Sequence, residues 1–147
     1  MRGSPTICKK ALSTEDLNII TNHYFNSNSH NDKLLVAMLL TGFFGFLCLG
    51  ELSFSDDSSL HNWKKVICRN TVQISDDQYE FFLPGHKADH FYEGNRIIIA
   101  AKHYQQQPLL FFCCYLESRD HLHPIALALW LTEEGLVPTR SFFINCL

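Results

Sequence analysis

Lys87 is the residue whose surroundings best suit it to chemistry. It lies in Leu83-Pro84-Gly85-His86-Lys87-Ala88-Asp89-His90-Phe91-Tyr92-Glu93-Gly94-Asn95, between the apolar runs Phe81-Phe82-Leu83 and Ile97-Ile98-Ile99. Pro84-Gly85 and Glu93-Gly94 are turn formers and the flanking runs have strand character, so the spacing predicts a β-hairpin with Lys87 at its solvent-facing end. An ammonium there can protonate a departing oxygen or pair with a phosphate, and His86 and His90 flank it as further donors.

Other constellations are weaker. His121-x-His123, with Asp120 and Glu117 nearby, offers metal donors, but the pair precedes Pro124 in an expected loop and no distant second pair completes a site. No metal or cofactor is therefore expected. Asp56-Asp57 and Asp76-Asp77 fall where turns are expected, and turns favour aspartate for its local hydrogen bonds. Cys48, flanked by Leu47 and Leu49, reads as a packed thiol rather than a nucleophile. The six cysteines form no CxxC pair or regular framework, and several lie in apolar runs, so buried reduced thiols are expected.

The elements that must position these residues follow from periodicity and turn chemistry. Ser13-Thr14-Glu15-Asp16 places a hydroxyl cap before first-turn acids and predicts a helix from about Thr14 to Phe25. After the polar break Asn26 to Asn31, a second helix capped by Asn31 or Asp32 carries Leu34, Leu35, Met38 and Leu39 on one face, with Gly42 or Gly45 interrupting it. Lys64–Ile67, Thr71–Ile74, Tyr79–Leu83 and Arg96–Ala100 are short β-prone runs, which a small antiparallel sheet accounts for. A helix is expected over Gln105–Asp120 with Pro108 in its first turn, then an extended stretch over Leu127–Thr132 and a helix capped by Thr139. The prediction is one α+β domain over residues 9–147, behind a flexible lead at 1–8, with helices on a three-stranded antiparallel sheet.

Taken with Thr41-Gly42-Phe43-Phe44-Gly45-Phe46-Leu47-Cys48-Leu49-Gly50-Glu51-Leu52, the Leu83–Ile99 segment resembles the first half of the catalytic domain of tyrosine recombinases, in particular transposon-derived, integrase-like domains of fungi. The resemblance runs from about Lys9 to Leu147 and includes the order helix, helix, three-stranded sheet, helix. It implies that Lys87 is the hairpin lysine acting as the acid. Cys48, three residues ahead of Glu51, stands where the family carries its first catalytic arginine, and a thiol supplies neither the charge nor the planar fork of donors. The family's His-x-x-Arg motif and nucleophilic tyrosine follow the segment equivalent to Pro138–Phe143, and neither is found there. The resemblance therefore implies a catalytically incompetent recombinase-like domain retaining weak DNA-backbone contact through Lys64, Lys65, Arg69, His86, Lys87, His90 and Arg96.

Composition sets bounds on partners. Twelve Lys and Arg against fifteen Asp and Glu give a formal charge of −3, so any attraction to nucleic acid must be local. Apolar residues at 46% provide for a core and exclude general disorder. No secretory signal is recognisable, and Leu34–Leu49 is shorter than the roughly 20 residues of a membrane span and carries Gly42 and Gly45. The expected location is intracellular, nuclear if DNA is the partner. Two alternatives stand beside DNA contact: a self-associating interaction module, pairing through the second helix and Phe142, Phe143, Ile144 and Leu147, and a nuclease of altered mechanism.

Overall fold

The structure, a computed structural model, describes residues 13–45, 47, 52, 66–84, 95–100 and 107–142. Helix α1 spans Thr14–Tyr24 and α2 spans His30–Gly45. A 3-10 turn at Arg69–Thr71 leads into strands β1 (Gln73–Ile74), β2 (Gln78–Leu83) and β3 (Asn95–Ala100), and α3 covers Pro108–Leu122. This is a mixed α+β fold with one antiparallel sheet in the order β1-β2-β3.

The start of α1 is set by a reciprocal cap. Ser13 Oγ accepts from the Asp16 N–H at 3.1 Å, and the Asp16 carboxylate accepts from the Ser13 N–H at 3.1 Å. Two of the helix's orphan donors are thereby satisfied. Helix α2 begins earlier than expected, at His30, with Asp32 in its first turn accepting from Ser27 Oγ at 2.7 Å.

All residues from Leu34 to Thr41 on α2 are buried. A helix without a polar face must be covered all round, and α1, β3 and α3 pack against this one. The expected single apolar face is corrected: Val36, Ala37 and Leu40 are as buried as Leu34 and Met38. Gly42 does not interrupt the helix, which runs on to Gly45. There a Cβ would lie 3.0 Å from Ile99 Cδ1 and 3.3 Å from Ile97 Cγ2, so glycine lets the helix end approach β3 closely.

Burial alternates along β2, with Tyr79, Phe81 and Leu83 inward, as a sheet with one covered face requires. Tyr79 pairs with Ile99 and Phe81 with Ile97, which brings the apolar runs flanking Lys87 onto one inner face. The Tyr79 ring stacks on Phe112 of α3, with centroids 3.9 Å apart, and its hydroxyl lies 2.8 Å from Thr41 Oγ1 of α2. One side chain thus joins the sheet to both core helices.

Two strand expectations are corrected. Arg69–Thr71 coils because Thr71 Oγ1 donates to the Cys68 carbonyl at 2.8 Å, leaving β1 only two residues. Val66 and Ile67 lie outside the sheet, next to an isolated bridge between Cys68 and Ala128. Helix α3 starts at Pro108 and reaches Leu122, with Gln107 before it at φ 56. The expected extended stretch at Leu127–Thr132 is irregular, although Leu129, Trp130 and Leu131 are buried. Phe142 packs against the main core, while Phe143, Ile144 and Leu147 lie outside the described residues.

Tyr79→Phe should lower unfolding free energy by about 1–3 kcal/mol, because the buried Thr41 hydroxyl loses its partner, and Tyr79→Ala by roughly 3–5 kcal/mol. Adding Thr41→Val to Tyr79→Phe should cost less than the two single changes summed, because no buried hydroxyl is then left unpaired. Urea titration of wild type and the four variants checks both statements.

Candidate nucleic-acid interface

Of the residues expected to contact DNA, Arg69 and Arg96 are described, and the structure brings both to the Arg69–Thr71 turn. Lys64, Lys65, His86, Lys87 and His90 lie outside the described residues, as does Cys48. Leu83 and Asn95, on either side of the undescribed residues 85–94, pair as the ends of two adjacent antiparallel strands.

Arg96 projects from the outer face of β3. Its Nη2 donates to the Thr71 carbonyl at 2.7 Å, and its Nε pairs with Glu80 of β2. Arg69 reaches α3, where Nε and Nη2 donate to the two Asp120 carboxylate oxygens at 3.1 and 2.8 Å. This fork-on-carboxylate geometry fixes direction as well as distance. Both arginine side chains remain about one-third exposed. They are oriented, partly hydrated cations, each already sharing its charge with a carboxylate.

Behind them is a group that sequence reasoning passed over. Arg119 is 1% exposed. Its Nη1 donates to Asp120 Oδ1 at 2.8 Å and to the His123 carbonyl at 3.0 Å, and its Nη2 donates to the Ala126 and Ala128 carbonyls at 2.6 Å each. A guanidinium, with five donors in a rigid plane, can satisfy several carbonyls of one irregular segment at once. The signal was available: Phe112, Tyr115, Leu116 and Arg119 share one helical stripe, so position 119 faces inward.

Asp120 sits between two arginines. The Arg69 guanidinium, and then that of Arg119, hold its carboxyl below the ordinary value, while partial burial works the other way. The same bond raises the Arg69 pKa. A carboxyl depressed in the folded state contributes stability above its unfolded pKa, and that contribution is lost as pH falls through the lower folded value.

The expected His121-x-His123 loop is corrected in part. His121 is in the last turn of α3, and His123 caps it. His123 Nε2 lies 3.2 Å from the Thr132 carbonyl and 3.0 Å from that of Glu133, so this nitrogen carries a proton and is not free as a metal ligand. Among the described residues no three His, Cys, Asp or Glu side chains gather as a metal site would require. Asp76 and Asp77 occupy the β1–β2 turn, where Ser75 Oγ donates to Asp77 at 3.3 Å. Of the cysteines, Cys68 and Cys113 are part-buried and Cys114 is exposed, which corrects the expectation of uniformly buried thiols. Tyr79 and Tyr115 are buried, and burial pushes both phenols upward, which opposes formation of a nucleophilic phenolate.

Among the described residues no helix is long and apolar enough to cross a membrane. Comparisons with protein-family models, with curated proteins and with solved structures give no match.

Arg119→Met preserves volume but leaves buried carbonyls unpaired, at about 1–3 kcal/mol for each lost acceptor, and should destabilise by on the order of 3 kcal/mol or more in urea titration. Asp120→Asn should flatten the acid limb of the stability profile below about pH 4, where wild type loses stability as the Asp120 carboxylate is protonated. Equal acid limbs in the two proteins would contradict the Arg69–Asp120 coupling.

Proposed function

We propose that the chain is a tyrosine-recombinase-like domain that contacts DNA backbone weakly and does not perform strand exchange. The observation that supports this most is the order α1, α2, β1, β2, β3, α3, in which Lys87 falls in the connection between β2 and β3. The arrangement agrees with the hairpin-lysine context on which the family resemblance rests. Arg69 and Arg96, meeting at one turn beside that sheet, add two oriented guanidiniums. Cys48 in the first arginine's place removes a permanent charge from any transition state, and loss of one preorganised donor in other enzymes costs about 2.7–4 kcal/mol.

Binding of a fluorescent duplex, read by anisotropy across a salt series, tests the proposal. Affinity should be low at about 50 mM salt and should vanish at a few hundred millimolar, because few cations on a chain of charge −3 can displace counterions. Lys87→Ala should weaken binding and reduce the log–log salt slope by about one. No binding at low salt, or binding indifferent to both salt and Lys87, would sink the reading. A nicked suicide duplex should yield no covalent adduct, and formation of one would overturn the catalytic half of the proposal.

Self-association is favoured by a different observation. Leu122, Ile125, Leu127 and Leu136 are exposed within the stretch from the end of α3 to residue 136, with Ile125 at 98%. Large apolar side chains left exposed are candidates for pairing with a second copy. Helix α2 does not contribute, since its residues from Leu34 to Thr41 are covered within one chain. Sedimentation should then show a dimer that Ile125→Asp converts to monomer, whereas a wild-type monomer at high concentration would exclude this reading.

A further inference from the structure

Residues 123–136 lie outside regular helices and strands and are tied down by side chains, one of which is a histidine using both ring nitrogens. His30, the first residue of α2, is buried. Its Nδ1 is 2.9 Å from Ser118 Oγ on α3, and its Nε2 is 2.8 Å from the Leu131 carbonyl oxygen. A carbonyl only accepts, so Nε2 carries the proton, and in the neutral ring Nδ1 accepts from the serine hydroxyl. The neighbouring Asn31 Oδ1 accepts from the Glu133 N–H at 2.9 Å. The first turn of α2 thus holds residues 131–133.

Hydrogen bonding alone does not keep this ring neutral. A second proton at Nδ1 would leave both contacts possible, because Ser118 Oγ can rotate to accept. Loss of water does the work: the ring is shut in against Tyr115, centroids 5.4 Å apart, and burial pushes the His30 pKa down from its ordinary 6.5. The bond to Leu131 acts in the opposite sense. Among the charges felt there, Glu133 favours the imidazolium, while His123 on the far side and Lys33 on α2 itself oppose it. Helix α3 presents the Ser118 hydroxyl and the Tyr115 phenol, and burial keeps the phenol neutral.

We propose that His30 is a pH-sensitive latch, whose protonation releases residues 131–136 from α2 and α3 while the helix–sheet core stays folded. The boundary follows from where the other attachments lie. Residues 123–129 are held independently of His30, by Arg119 at three carbonyls and by backbone bonds from Leu129 N–H to Ile67 and from Arg69 N–H to Leu127. Trp130 is buried in the main core against Phe112 and Tyr115 and stays with it. Beyond Trp130 the segment is fastened by His30, by Asn31, by the Tyr115 hydroxyl at the Leu131 N–H and carbonyl, by His123 at Thr132 and Glu133, and by the Leu131 side chain buried beside Val66 and Ala128. Its remaining bonds, Thr132 N–H to Leu136 and Gly135 N–H to Thr132, are internal and can move with it. Opening this stretch hydrates the imidazolium without disturbing Leu34–Thr41, so it is the least costly way to relieve the buried charge.

The sign is definite. A histidine whose folded pKa is lowered favours the closed form fully above 6.5, and loses that preference as pH falls toward the folded value. Hydrogen exchange read by mass spectrometry on the full chain, from about pH 7.5 to 5 and corrected for intrinsic rates, tests the latch. Protection of residues 131–136 should fall on acidification by up to about tenfold per pH unit, the limit for one proton, while residues 34–41 keep theirs. His30→Gln can still donate to Leu131 and accept from Ser118, and should abolish the pH dependence. Glu133→Gln, at an exposed position, should move the fall to lower pH by removing the one charge that favours protonation. Wild-type protection of 131–136 that ignores pH, a fall shared equally by 34–41, or pH dependence that persists in His30→Gln would each overturn the proposal. If His30→Gln does not fold, the wild-type profile and the direction of the Glu133→Gln shift decide the matter.

Discussion

The complete burial of α2 between Leu34 and Thr41 is the constraint on which the rest of the described structure depends. A helix with apolar side chains around its whole circumference is stable only where other elements cover every side. Here α1 covers one side, α3 another and β3 a third. Gly45 lets the end of the helix close on Ile97 and Ile99, and Thr41, the one polar residue in the buried stretch, finds its partner in the Tyr79 hydroxyl. Since Tyr79 also stacks on Phe112, displacing the sheet would unpair a buried hydroxyl and uncover two aromatic faces together. Such coupled losses make helices and sheet one cooperative unit.

The chain after α3 is organised differently. It has little ladder of its own, so its buried carbonyls must find side-chain donors. Arg119 serves His123, Ala126 and Ala128, Tyr115 serves Leu129, and His30 serves Leu131. Gly135, at φ 87, allows the tight return from Thr132 to Leu136, and a Cβ there would meet the His123 ring at 3.1 Å. The consequence is a segment whose fastening depends on a few titratable or buried polar groups, in contrast to the apolar α2 core. Differences in local stability along one chain arise from such contrasts.

What the sequence disclosed and what it hid divide along the range of the interactions. The Ser13 cap, Pro108 in the first turn of α3 and the β2–β3 pairing are local signals, and each was legible. The α2 pattern was read as one apolar face because a surface helix was assumed, although Val36, Ala37 and Leu40 leave no polar side to expose. The strand expected from Thr71 shrank because a threonine side chain competed for the backbone, a choice that propensity does not reveal. His30 could not be read at all, since its partners lie 88 and 101 residues away. Arg119 was legible from its place on the Phe112–Leu116 stripe but was not recognised, because charged residues are by default assigned to the surface. For the candidate interface, the sequence gathered seven side chains, and the structure describes two of them, Arg69 in the turn and bonded to Asp120, and Arg96 bonded to that turn at Thr71.

That turn also limits what the two arginines can offer a polyanion. Three guanidiniums, Arg69, Arg96 and Arg119, are opposed by the carboxylates of Asp120 and Glu80, so the cluster carries a net charge near +1. A phosphate arriving at Arg69 must either displace Asp120 from a two-point contact or accept a site whose field is already largely spent on the carboxylate. Displacement would also remove a bond from the buried Arg119, linking anion binding to the loop that Arg119 holds. The arginines are therefore better suited to orient a backbone that has been attracted by other charges than to supply the attraction. In a DNA-contacting role the long-range pull would fall to lysines such as Lys87, and the arginines would set the angle at which the backbone crosses the sheet.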